Sequence, residues 1–296
     1  MIALAKRLVS PRNPTPLSKT DMVAARPVSI AVAPNGGRKT HADHPALPMT
    51  AAELARVAGL CLEAGASMVH AHVRDREGRH LLDADAYRDA LGAIRQAVGQ
   101  QLVVQITSES LGIYTPAEQM DVVRQVRPES VSLALRELLP NGGGEAEFST
   151  FLDWLRKENV APQFILYAPQ EAVRLAELKA RGVIPFDQLS ILYVLGRYTA
   201  GQTSDPADLL PFLDAAVPRF PHWSTCAFGH REAACVLAGA LLGGHVRVGF
   251  ENNLLLPDGR TARGNEDLVG VVRDGVVGLG YRLATADELR ASWQSP

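Results

Sequence analysis

From Val28 to the C-terminus the chain reads as eight β-strands, each followed by a helix, with little slack between them. The expected strands are Val28–Ala33, Met68–Arg74, Leu102–Thr107, Ser130–Leu135, Gln163–Tyr167, Leu189–Leu195, His222–Ala227 and His245–Asn253. Stretches with apolar residues recurring at three and four positions separate them, among them Ala84–Val98, Pro116–Val126 and Pro206–Ala216. Thr50 with Glu53, and Thr285 with Glu288, have the spacing of helix-opening capping boxes. Such alternation builds either a doubly wound sheet or a closed barrel. The count of eight favours the α/β fold of a (β/α)8 TIM barrel. So does the polarity of the strand C-terminal ends, at His72, Thr107, Tyr167 and Glu251.

No break in composition follows Val28, so residues 28–296 read as one barrel domain. Residues 1–27 are basic, proline-bearing and acid-poor up to Asp21, without the apolar run of a signal peptide. They read as a surface-lying extension or as residues ahead of a start at Met22, with an organellar presequence as the alternative that the basic, acid-poor composition leaves open. Thirty basic against 32 acidic side chains gives a formal charge of −2, which excludes a nucleic-acid-binding surface of the usual basic kind. The longest apolar stretches are too short to span a bilayer. Cys61, Cys226 and Cys235 form no paired motif and suit a reducing compartment, so a cytoplasmic protein is expected.

Side chains alternate across a strand, so His70, His72 and Arg74 share one face of the second strand. Two imidazoles and a guanidinium on one buried face need partners. They are either satisfied structural histidines or metal ligands, with zinc the first candidate for imidazole donors. A third ligand could come from Glu251, which shares parity with Arg247 and Gly249 on the last strand. In a closed barrel the second and eighth strands flank the first, close enough to share an ion. Arg74 and Arg247 suit a carboxylate, or pair with acids such as Asp75 and Glu109. Thr107 and Ser132 could bind a substrate or relay a proton. Asn35, Gly36, Gly37, Arg38 and Lys39 combine backbone N–H groups with two cations, a possible anion site.

Four stretches in this order resemble the β-keto acid cleavage enzymes: Ala33–Gly37, Asp43–Thr50, Val69–Asp75 and Gly244–Asn253. The resemblance runs from Val28 to the end. It implies a zinc-bearing barrel, commonly a homotetramer, that condenses a β-keto acid with acetyl-CoA and releases acetoacetate and a new CoA ester. It also implies that His70, His72 and Glu251 are the zinc ligands and that Arg247 belongs to the catalytic group. Thr107 stands where the family often has serine, and Ser132 where it has threonine.

The sequence departs from the family pattern at several points. Asn252 replaces the acid that usually follows the glutamate ligand, and an amide cannot act as a general base. Arg38 stands at the position of a loop acid that meets the substrate amino group, which suits an uncharged or anionic tail, for instance a β-keto dicarboxylate. Glu109 could take over the base role. A carbon–carbon lyase or hydrolase on a small keto acid, independent of CoA, is the alternative reading.

Overall fold

The computed structural model describes residues 26–140 and 143–294. Eight parallel strands close into a barrel: β1 (Ile30–Val32), β2 (Met68–Ala71), β3 (Val103–Thr107), β4 (Ser130–Ala134), β5 (Ala161–Leu166), β6 (Ser190–Leu195), β7 (His222–Ala227) and β8 (His245–Val248). The ring closes where β8 pairs with β1, Val246 opposite Ile30 and Val248 opposite Val32. Alternation divides the strand residues cleanly. Ile30, Val69, Ile106, Leu133, Phe164 and Ile191 face outward into the main apolar layer beneath the helices. The other parity fills the interior, and His70, Gln105 and Ser130 sit side by side on β2, β3 and β4. Fully burying one such aliphatic or aromatic side chain contributes ~1.5–3 kcal/mol.

The outer ring comprises α1 (Ala51–Ala64), α2 (Ala84–Val98), α3 (Pro116–Val126), α4 (Glu145–Lys157), α5 (Pro169–Ala180), α6 (Glu232–Leu241) and α7 (Asn265–Gly278), with α8 (Ala286–Gln294) at the end of the chain. The Thr50–Glu53 capping box is present, each partner's side chain accepting the other's backbone N–H. The same holds for Thr285 and Glu288. Ala286 and Leu289 of α8 pack on Ala31, Met68 and Val103, closing the N-terminal end of the barrel. The C-terminal end is left open for chemistry.

Three expected elements differ. Pro206–Leu213 is a 3-10 helix with Pro211 inside it, and it stops short of the expected Ala216. The second barrel strand ends at Ala71; Val73–Arg74 instead pairs antiparallel with His80–Leu81. The last strand ends at Val248, and Gly249 turns the chain at φ +137°. Residues 1–25 of the expected extension lie outside the described residues, while Pro27–Val28 pairs with Arg282–Leu283. Cys61, Cys226 and Cys235 are free and buried. Among the described residues, no helix is long and apolar enough to cross a membrane.

Candidate active site

Strand β2 aims His70 into the barrel, and its register partner Gln105 fixes the ring. Gln105 gives its amide N–H to Ser130, so its carbonyl faces His70 Nδ1 at 2.8 Å and accepts that proton. The Nε2 of His70 is thereby left as a bare lone pair. His72 follows the strand's end and is held by Asn35, whose amide donates to the His72 carbonyl at 2.9 Å and accepts its N–H at 3.3 Å. The two Nε2 atoms lie 3.2 Å apart, and both residues are 1% exposed. Glu251 Oε2 stands 3.7 Å from one and 3.4 Å from the other.

The carboxylate is presented by a turn, not by the strand. Glu251 accordingly owes its place to the anchors of that turn. Its N–H donates to the Ala33 carbonyl and its carbonyl accepts from Lys39 Nζ at 2.8 Å. Asn265 takes the Phe250 N–H, and Glu232 takes those of Gly249 and of the Asn253 side chain. Gly36 has φ +61°, and a Cβ there would stand 2.6 Å from Glu251 Cγ, so only glycine lets the loop pass.

The electrostatics suit a cation. Burial, with Arg247 nearby, lowers His70 to about 3, so its imidazole is neutral. Burial pushes the Glu251 carboxyl up, but Arg247 and the two histidines outweigh it and hold it well below the usual carboxylate range. Arg247 Nη2 donates to Glu251 Oε1 at 3.0 Å. Glu251 Oε2 and His72 Nδ1 are buried without a partner. His70, His72 and Glu251 each offer a ligand atom, all within 4.8 Å of one another. Two imidazoles and a carboxylate are a catalytic zinc donor set that leaves a position open. The residues fit a divalent metal.

Thr107, Glu109, Ser132 and Arg247 join these three around one cleft at the C-terminal mouth, about 380 Å³ counted to its opening. Thr107 and Ser132 are register partners on β3 and β4. The Ser132 hydroxyl and Arg247 Nε and Nη1 are buried and unpartnered. Glu109 pairs with Arg197 at 3.3 Å. Sequence reading passed over Arg197: it sits just beyond Gly196 at the end of β6, and the strand-end polarity that marks Thr107 would have found it. An adjoining outer cavity is lined by Asn35, Gly36, Arg38 and Lys39.

Several expectations need correction. Arg74 does not face the cleft, because the strand breaks before it. Its guanidinium donates to the carbonyls of Gly36, Lys39 and Gly78 and shapes the loop. Lys39 is committed to Glu251, and Arg38 is exposed on the outer rim. Asn35 works through its side chain, on His72. Asn252 is 3% exposed with both amide atoms unpartnered, and it lines neither cavity.

The chain is 28% identical over 268 residues to the 3-keto-5-aminohexanoate cleavage enzyme of Fusobacterium nucleatum, covering 88% of this chain and 95% of that one. It is 26% identical over 282 residues to the 3-oxoadipate:acetyl-CoA acetyltransferase of Cupriavidus necator, covering 90% and 94%. Among solved structures, the apo structure of ObcA has the same fold, with a TM-score of 0.65 at 18% identity over 84% of this chain and 65% of that one. The sequence profile of the beta-keto acid cleavage enzymes matches residues 27–294, the whole barrel with its histidine strand and its glutamate turn. The chain therefore belongs to the beta-keto acid cleavage enzyme family.

Proposed function

We propose that this enzyme exchanges acyl groups between a β-keto acid, R–CO–CH2–COO⁻, and acetyl-CoA, giving acetoacetate and R–CO–SCoA. The observation that carries this reading is the convergence of His70, His72 and Glu251 beside Arg247 in one cleft. His70, His72 and Glu251 would hold zinc, which when bound supplies Lewis acidity toward a carbonyl oxygen. The unpartnered donors of Arg247 are suited to the substrate carboxylate.

Glu109 is the carboxylate of the cleft that is not a candidate ligand. It takes a proton from C2 of the keto acid, a role the Asn252 amide cannot fill. That carbon attacks the acetyl carbonyl and the CoA thiolate leaves. The thiolate then adds to the former β-carbonyl, the bond from that carbon to C2 breaks, and Glu109 returns the proton to C2. Ser132 and Thr107, side by side, offer hydroxyls to the carbonyl oxygens of the two reactants.

The names of the relatives from Fusobacterium nucleatum and Cupriavidus necator support this reading, since both act on keto acids and the second uses acetyl-CoA. A CoA-independent lyase or hydrolase is the alternative, and the lost acid at Asn252 is the observation in its favour. Acetyl-CoA carrying ¹³C in the acetyl carbonyl separates the two. Under the favoured reading mass spectrometry finds the label in acetoacetate, together with one equivalent of R–CO–SCoA. Keto acid consumption without acetyl-CoA overturns it. A Glu109→Gln variant should lose roughly 10²–10⁴-fold in kcat, the span of general acid–base catalysis; full activity removes Glu109 from the mechanism.

A further inference from the structure

The interior of the barrel mouth is chemically two-sided. β8, β2 and β3 contribute Arg247, His70 and Thr107, whereas β4 to β7 contribute Ala134, Ile165, Val194 and, just past β7, Phe228 as a carbon wall, edged by the polar groups of Ser132, Tyr167 and Arg197. A keto acid that places its carboxylate and β-carbonyl on the polar side must direct its tail against this wall. The ionised side chains lining the cleft are matched one to one. Glu251 pairs with Arg247 at 3.0 Å and Glu109 with Arg197 at 3.3 Å.

Among the described residues, no carboxylate of the cleft is therefore free to meet a tail ammonium. A tail carboxylate would have to take Arg197 from Glu109, leaving a largely buried acid unpaired. The face of the Arg197 guanidinium is also covered, lying 5.3 Å from the Phe228 ring centre. Arg38, the residue that would have suited an anionic tail, is on the exposed outer rim, where it lines the adjoining outer cavity and not the part of the cleft that holds the wall.

We propose that the wall of Ala134, Ile165, Val194 and Phe228 selects a β-keto acid whose tail is short, apolar and uncharged. This rests on the reading of the cleft as a β-keto acid site. The test uses three keto acids of equal chain length: 3-oxohexanoate, 3-oxoadipate and 5-amino-3-oxohexanoate. Each is titrated calorimetrically into zinc-loaded protein without acetyl-CoA, and turnover with acetyl-CoA is measured separately.

The neutral tail should bind at least tenfold more tightly than either charged one. Binding of a charged tail as tight as the neutral one, or no difference among the three, overturns the proposal. The expected ranking without acetoacetate from any of them would remove the acyl-exchange reading and leave the tail assignment standing. In Val194→Asp the ammonium tail should overtake the neutral one. No gain for the ammonium tail in a folded variant counts against the wall as the selecting element.

Discussion

At the scale of single residues, the candidate metal centre depends on groups that never touch the ion. Gln105 sets the tautomer of His70, and partners of this kind typically change metal affinity by ~10–100-fold when removed. Gln105→Leu should therefore weaken zinc binding by roughly that factor while the fold persists, as competition with a chromogenic chelator would show. His70→Ala should abolish stoichiometric binding in the same assay. Gly36→Ala meets two obstacles, a left-handed backbone costing ~1–2 kcal/mol for an L-residue and a collision with the Glu251 side chain. Zinc affinity should fall by about tenfold or more. Unchanged affinity would mean that the loop yields without moving Glu251.

At the scale of elements, the turn from Gly249 to Asn253 is what sets the glutamate against the two histidines. Strand parity placed Arg247 and Glu251 on one side, and the two do meet, but they meet through a turn. Parity ceases to hold at Gly249, where the backbone passes so close to Ala33 that a Cβ would lie 2.4 Å from its carbonyl oxygen. The eight strands and most helices were legible because each has a periodic apolar face to bury. The tail wall, Arg197 and the end of β2 at Ala71 were not, since they depend on which strands become neighbours and on pairing formed only after closure.

Glu232 illustrates the same limit. It opens a helix, carries no signal in the sequence, and is 1% exposed with both oxygens spent on the turn. Burial pushes its carboxyl well above the usual range, and Glu232→Gln keeps an acceptor oxygen for the Gly249 N–H. Glu232→Ala leaves the Gly249 N–H buried without an acceptor, a cost of ~1–3 kcal/mol. The alanine variant should lose thermal stability and zinc affinity together, and glutamine should restore most of both.

At the scale of the molecule, the closed end of the barrel carries its own pH dependence. His245 at the start of β8 accepts the Ser29 N–H at 3.1 Å through a bare Nδ1. Burial, aided by Arg26 and His222, lowers it from 6.5 to about 4. As pH falls the unfolded chain takes up the proton first, so this contribution is whole above about 6.5 and is lost down to about 4. Wild type should lose several degrees of Tm between about pH 7 and about pH 5 that His245→Asn retains, each kcal/mol being worth roughly 2–4 °C. Parallel melting curves would refute a role for His245.

The candidate ligands lie far apart in the chain: two follow the first helix, and the third comes after the eighth strand has paired with the first. A growing or refolding chain thus has no three-donor site until the ring has closed. Capture of an ion by these residues would then be the last event of assembly and would not nucleate it. In stopped-flow refolding, barrel fluorescence should recover at the same rate with and without zinc. Unfolding of the finished protein should slow when zinc is present, because an ion held by these three residues would fasten the seam where the two ends of the barrel meet.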